Sequence, residues 1–214
     1  MAEGGVHPHA GHFTTERQHR RAGMLGMWLF LATELMMFGG LFMGILVYRV
    51  SLGEALNQAS RHLDMMLGGA NTAILLTSSA AMALAVIAGR EGRRRAAAGW
   101  LGATVALGFA FLAIKGVEYR REYAEGLMPH IGPAFPFEAP GMELFFNLYF
   151  AATGLHALHL AIGIGLVAVL AVRIATGGIA LPGRAIVPEC AGLYWHFVDI
   201  VWVFLYPLLY LSAR

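Results

Sequence analysis

The chain is poor in charge: Asp, Glu, Lys and Arg make up 13% of its 214 residues, where a soluble domain carries about 25%. Cysteine is nearly absent as well. The lone Cys190 excludes an internal disulfide and any cysteine-based zinc or iron–sulfur centre. The sequence has no long basic stretch with interleaved aromatics, and a net charge of +2 is far from that of a nucleic-acid-binding or disordered chain. It also lacks internal repeats, low-complexity tracts and the period-2 alternation of a membrane β-barrel. What remains is apolar: 58% of the residues are hydrophobic. A soluble protein of this size cannot hide that much apolar side chain in one core, because much of its surface must stay wet. The composition therefore defines a membrane protein.

A helix needs about 20 apolar residues to cross the hydrocarbon core. The stretch Ala22–Tyr48 carries one charge, Glu34, and Met65–Gly89, Ala96–Ile114 and Leu144–Val172 carry none. Cys190–Ala213 is interrupted only by Asp199. The expected architecture is all-α: a cytoplasmic tail rich in His and Arg over residues 1–22, then one bundle of five transmembrane helices over 23–214. The spans are placed at about 23–48, 66–89, 96–118, 144–172 and 190–211. The first span is too long for a signal-peptide h-region and ends in Leu46-Val47-Tyr48-Arg49 rather than at small residues, so it is expected to be retained. Arg17, Arg20, Arg21, Arg90, Arg93, Arg94, Arg95, Arg173 and Arg184 fall on the side of the N-terminus. Arg49, Arg61, Arg120, Arg121 and Arg214 fall on the other. The positive-inside rule then predicts a cytoplasmic N-terminus and an external C-terminus.

Polar groups at membrane depth are expensive, a central charge costing about 2.5–3.5 kcal/mol on insertion scales. Glu34 stands about 12 residues into the first span, roughly 18 Å along it at 1.5 Å per residue, and so near the midplane. It reads either as a proton-exchanging or paired carboxyl facing the bundle, or as a neutral acid bonded to a neighbouring helix. Lys115 and Glu118, three apart on one helix face, read most simply as an interfacial ion pair. Asn71 and Thr72 read as interhelical hydrogen-bond formers. His156 and His159 are three apart in the fourth span, and His196 and Asp199 repeat that spacing in the fifth. Imidazoles at one depth can ligate one haem or one copper; equally, each pair can be a polar stripe along a helix seam.

The tail residues His7, His9, His12 and His19 resemble a weak divalent-metal binder, with contact to anionic headgroups the simpler reading. Gly40 and Gly44 have small-xxx-small spacing, and Gly163 and Gly165 thin the fourth helix. Trp28, Tyr48, Trp100, Tyr119, Tyr123, Tyr194 and Trp195 are expected at the interfacial belts. The segment from Met128 to Pro140, with four prolines, is expected to form an ordered external cap.

Taken together, several segments resemble one family, subunit III of the haem–copper respiratory oxidases. Tyr194-Trp195-His196-Phe197-Val198-Asp199-Ile200-Val201-Trp202 is similar to that family's last helix, and Ala152-Thr153-Gly154-Leu155-His156-Ala157-Leu158-His159 to its penultimate one. Trp28 through Glu34 to Phe38 resembles the helix bearing the family's membrane carboxyl. Asn71-Thr72 with Leu75-Leu76-Thr77-Ser78 fits the following helix, and Lys115 with Glu118-Tyr119 the one after. The order and spacing agree over about Gly23–Leu211. Seven-helix members begin with two further helices that complete a lipid-holding cleft. This sequence resembles the short five-helix bacterial form, so that cleft wall is expected to be absent or supplied by another subunit.

The resemblance implies an accessory subunit of a cytochrome c or quinol oxidase in the bacterial cytoplasmic membrane. It implies no catalytic residue, metal or redox cofactor in this chain, with haem and copper in the partner subunit I. Subunit I would be a direct partner, with subunit II, a small subunit IV and phospholipids as further ones, and no nucleic acid. Glu34 would tune a proton or oxygen route, and Asn71, Lys115, Glu118, His156, His159, His196 and Asp199 would make interhelical or lipid contacts. A subunit of this kind beside a nitric oxide reductase is the near alternative. A free-standing redox protein ligated by His156, His159 and His196 is a more distant one. A proton-coupled transporter centred on Glu34 and Lys115–Glu118 lacks the internal repeat and mid-membrane helix break common at transporter sites; Pro207 falls near the outer end of the last span.

Overall fold

A computed structural model describes residues 16–128 and 141–211. The histidines at 7, 9 and 12, most of the proline-rich segment and Arg214 lie outside these residues, as does the side chain of His19. The described chain is helical: α1 (Glu16–Ser51), α2 (Gly53–Ser60), α3 (Met65–Arg90), α4 (Arg94–Ala124), α5 (Met142–Thr176) and α6 (Ile186–Tyr210). Five of these, all but α2, are long and apolar enough to span a membrane. The short α2 was not evident in the sequence; its eight residues contain a single leucine and no apolar run.

The chain's own chemistry sets the helix ends. Asp64 caps α3 by accepting the backbone N–H groups of Met66 and Leu67 on Oδ1 at 3.0 and 3.2 Å. The α3–α4 turn runs through Gly92 at φ +72°, where a side chain would be strained, and the Arg93 N–H closes on the Ala88 carbonyl at 2.8 Å. Arg94 then reaches across to the C-terminus of α5. Its guanidinium donates to the carbonyls of Ile174 (2.7 Å) and Ala175 (2.5 Å), acceptors that the end of a helix leaves open.

The helices α3, α4, α5 and α6 pack as a bundle in which α3 meets α4 and α6, and α5 meets α4 and α6. Close approach is purchased with small residues: a Cβ on Gly108 of α4 would stand 2.9 Å from both Ile164 and Trp195. One on Gly163 of α5 would stand 3.2 Å from Tyr194. By contrast, Gly40 and Gly165 face open space, so neither expected glycine pair forms a complete seam within this chain. α1 leans on α6 and α5 from outside and leaves most of its apolar side chains uncovered, Leu25, Trp28, Leu35, Met36, Met43 and Val50 among them.

The aromatic expectations divide. Trp28, Trp100 and Tyr123 are exposed as a belt residue would be, whereas Trp195 is fully buried and Tyr48 and Tyr194 nearly so. Tyr48 ties the end of α1 to the start of α5 through the Gly141 carbonyl at 3.0 Å. At the opposite end the buried carboxylate of Glu189 in α6 accepts Arg20 of α1 at 3.0 Å and Arg90 of α3 at 2.8 Å. Three helices are therefore pinned at one point.

Candidate functional site

Glu34 lies on the inner side of α1 and meets α5. Its Oε2 is 2.9 Å from Nε2 of His159, while Nδ1 of the same ring is 2.8 Å from the Leu155 carbonyl one turn earlier. The edge of Phe38 packs against the imidazole, and the Tyr194 hydroxyl of α6 donates to the His159 carbonyl at 3.0 Å. The two side chains keep 16% and 12% of their exposure, so the pair sits at the chain's surface and not in its centre.

A second polar cluster is fully internal. Lys115 and Glu118 form an ion pair at 2.9 Å, and each is only 3% exposed, so the pair is enclosed by the bundle. The ammonium donates all three of its hydrogens: to Glu118 Oε2, to the Tyr149 hydroxyl at 2.8 Å and to the Tyr210 hydroxyl at 2.6 Å. Each tyrosine passes a hydrogen bond on, Tyr210 to Glu118 Oε1 and Tyr149 to Glu122 Oε1, both at 2.6 Å. The rings of Tyr119, Tyr149, Trp202 and Tyr210 surround the cation at 4.8–5.4 Å. The cluster joins α4, α5 and α6.

Three side-chain pairs bond across the α3–α6 seam. Trp195 Nε1 donates to Ser78 at 3.0 Å, Trp202 Nε1 to Thr72 at 3.1 Å, and His196 Nδ1 bonds Ser79 at 2.7 Å. Thr72 is thus the interhelical bond former its position suggested. Its neighbour Asn71 is completely buried, and neither its amide oxygen nor its nitrogen has a protein partner. Both nitrogens of His156 and both carboxyl oxygens of Asp199 are likewise without one. His156 is enclosed by the rings of Phe111 and Trp202, 5.6 and 5.2 Å away.

The three intramembrane histidines do not converge. His156 points into the core between two aromatic rings, His159 to α1 and His196 to α3. Among the described residues, no three His, Cys, Asp or Glu side chains are grouped so as to hold a metal ion. Sequence reasoning missed Tyr149, Tyr210, Glu122, Ser79 and Glu189. Tyrosines in long apolar helices carry no signal of which helix they will face; Glu122 and Glu189 fell at the margins of the expected spans, where a charge needs no explanation.

Five apolar helices held together by buried polar ties define a multi-pass membrane protein. The family model for cytochrome c oxidase subunit III matches residues 8–213. Over 212 residues the chain is 31% identical to a cytochrome c oxidase subunit 3 of Alkalihalophilus pseudofirmus, covering 98% of this chain and 94% of that one. It is 31% identical over 192 residues to a cytochrome bo(3) ubiquinol oxidase subunit 3 of Pseudomonas aeruginosa, covering 89% and 85%. A cytochrome c oxidase subunit 3 of Synechocystis is 32% identical over 208 residues, covering 97% and 80%. The chain belongs to the cytochrome c oxidase subunit III family.

Proposed function

We propose that the chain is the accessory subunit III of a proton-pumping haem–copper terminal oxidase in a bacterial cytoplasmic membrane. It packs on the catalytic subunit I, stabilises it and supports its proton uptake, and it contributes no redox centre. Haem and copper belong to subunit I; subunit II, a small subunit IV and phospholipids are the other neighbours. The N-terminus lies in the cytoplasm and the C-terminus outside.

The observation that carries this reading is how the membrane-embedded polar groups are used. Lys115, Glu118, Thr72, Ser78 and Glu34 bond side chains of neighbouring helices, as a scaffold requires. The apolar exterior of α1 is left bare, a surface suited to burial against another membrane subunit. Glu34, at mid-depth and on the surface, is placed to tune a proton or oxygen route shared with such a neighbour. Asn71, His156, His196 and Asp199 complete the polar lining of the helix seams.

A gentle-detergent pull-down of the chain from its native membranes, with a reduced-minus-oxidised visible spectrum of the eluate, tests the assignment. A haem a, b or o signal co-eluting with a larger hydrophobic subunit is expected, and the haem type narrows the electron donor. Haem retained by this chain alone would overturn the reading.

A further inference from the structure

The Tyr149 hydroxyl has one hydrogen and four polar neighbours. The Lys115 ammonium lies 2.8 Å away, Glu122 Oε1 2.6 Å, the Tyr210 hydroxyl 3.2 Å and Glu118 Oε1 3.3 Å. An ammonium only donates, so the tyrosine oxygen accepts from Lys115 and offers its single hydrogen to one of the other three. Charge sets the choice. The cluster holds one cation and two carboxyl groups, Lys115 against Glu118 and Glu122, exposed by 3%, 3% and 4%. Glu118 is served at both oxygens, by Lys115 on Oε2 and by Tyr210 on Oε1. Glu122 has Tyr149 at Oε1 and no protein partner for its buried Oε2.

With Glu122 ionised, Tyr149 donates to it, and the cluster carries a net negative charge inside the bundle. An uncompensated buried charge is expensive, more so at membrane depth. The Tyr149 oxygen also faces Glu118 Oε1 across 3.3 Å with no hydrogen between them. A proton on Glu122 Oε1 removes both faults. The 2.6 Å contact reverses, the carboxyl donating to Tyr149, and the tyrosine's own hydrogen turns to Glu118 Oε1. The cluster is then neutral, and Oε2 is a carbonyl oxygen, less costly to leave unpaired than a charged one.

We propose that the Lys115–Glu118–Glu122 cluster is a proton-binding site, with the proton on Glu122 and Tyr149 as the pivot that reverses its hydrogen bond when the proton leaves. Glu122 stands two residues before the end of α4, between the exposed Arg121 and Tyr123, and exchange with water runs through that end. The other titratable groups around the cluster are Tyr119 of α4, bonded to Thr153 at 2.6 Å, and Glu125, exposed just past the helix. Tyr210 comes from α6, and His156 of α5 lies between Phe111 and Trp202. Asp64, before α3, pairs outside the cluster with Arg121 at 3.6 Å. Every group in the site belongs to this chain, so the inference stands apart from the oxidase assignment.

The test uses the full chain in lipid nanodiscs, with glutamate carbon-13 labelled at its side-chain carboxyl to separate it from Asp199. Infrared spectra at neutral pH should contain a deuterium-sensitive carboxylic acid band that is absent in Glu122→Gln and that disappears in a one-proton step as the pH is raised. A spectrum unchanged by Glu122→Gln overturns the proposal. Tyr149→Phe supplies the second readout and needs no change at the carboxyl. A hydrogen bond to a charged group is stronger than one to a neutral group, so Tyr149 favours the anion over the acid. Its removal should raise the proton affinity about fivefold, moving the midpoint of the step upward by about 0.7 pH unit. Phe150→Leu, which trims the ring beside Tyr149 at 5.0 Å but no polar atom, should leave the midpoint in place. A midpoint unmoved in Tyr149→Phe, or moved equally in Phe150→Leu, overturns the proposal as well.

Discussion

Replacing Lys115 by methionine is the most informative single change the structure offers. The side chain is 3% exposed and its ammonium uses all three hydrogens at 2.6–2.9 Å. Methionine keeps the volume and apolar stem but removes the only cation of the cluster. Glu118, equally buried, then loses its partner on Oε2 while still accepting Tyr210 on Oε1. Breaking a buried pair by removing one member typically costs about 3–5 kcal/mol, because the surviving charge is left uncompensated. Lys115→Met should therefore destabilise the bundle by that amount. The mechanism makes a second demand. Removing both members of the pair, in Lys115→Met/Glu118→Met, eliminates the carboxylate stranded on Oε2 and should recover part of the loss, while Glu122 stays buried beside Tyr149. Denaturation of the full chain in mixed micelles, followed by tryptophan fluorescence, measures both, since Trp195 and Trp202 are fully buried in the bundle. A single variant within about 1 kcal/mol of the parent, or a double variant no better than the single, refutes the reasoning.

Further predictions test other parts of the packing. Gly108→Val, whose Cβ would press at 2.9 Å on Ile164 and Trp195, should cost at least about 1–3 kcal/mol in the same titration. Gly40→Val, facing open space, should cost little in the isolated chain, and retention by the oxidase complex will show whether that space belongs to a neighbour. Ser78→Ala strands the buried indole N–H of Trp195 and should cost about 1–3 kcal/mol. Glu189→Gln should loosen Arg20 and Arg90 together, and a double-mutant cycle between Arg20 and Arg90 should then show coupling that disappears in the Glu189 variant.

The architecture was legible because membrane insertion acts on contiguous composition. Runs of helix-spanning length with at most one charge identify α1 and α3 to α6 without any tertiary information. α2 was invisible for the same reason: eight residues with a single leucine between two spans leave no apolar pattern. The unusual residues were equally visible, since a charge or imidazole at membrane depth is conspicuous by type. Glu34, Lys115, His156, His159, His196 and Asp199 were all singled out before any contact was known.

What a linear reading could not supply is who faces whom across a seam. In a lipid-facing bundle the apolar residues on the outside resemble those inside, so hydrophobicity gives little rotational information. The spacing of Lys115 and Glu118 identifies an ion pair, but not the three tyrosines and one tryptophan from α4, α5 and α6 that enclose the cation after packing. The i, i+3 histidines show the same limit. His156 and His159 share a face only approximately, and the residual rotation between them sends one into the core between Phe111 and Trp202 and the other out to α1. Spacing alone allowed both to reach one metal. Their divergence keeps the two imidazoles from serving as one ligand set, which needs them at one point.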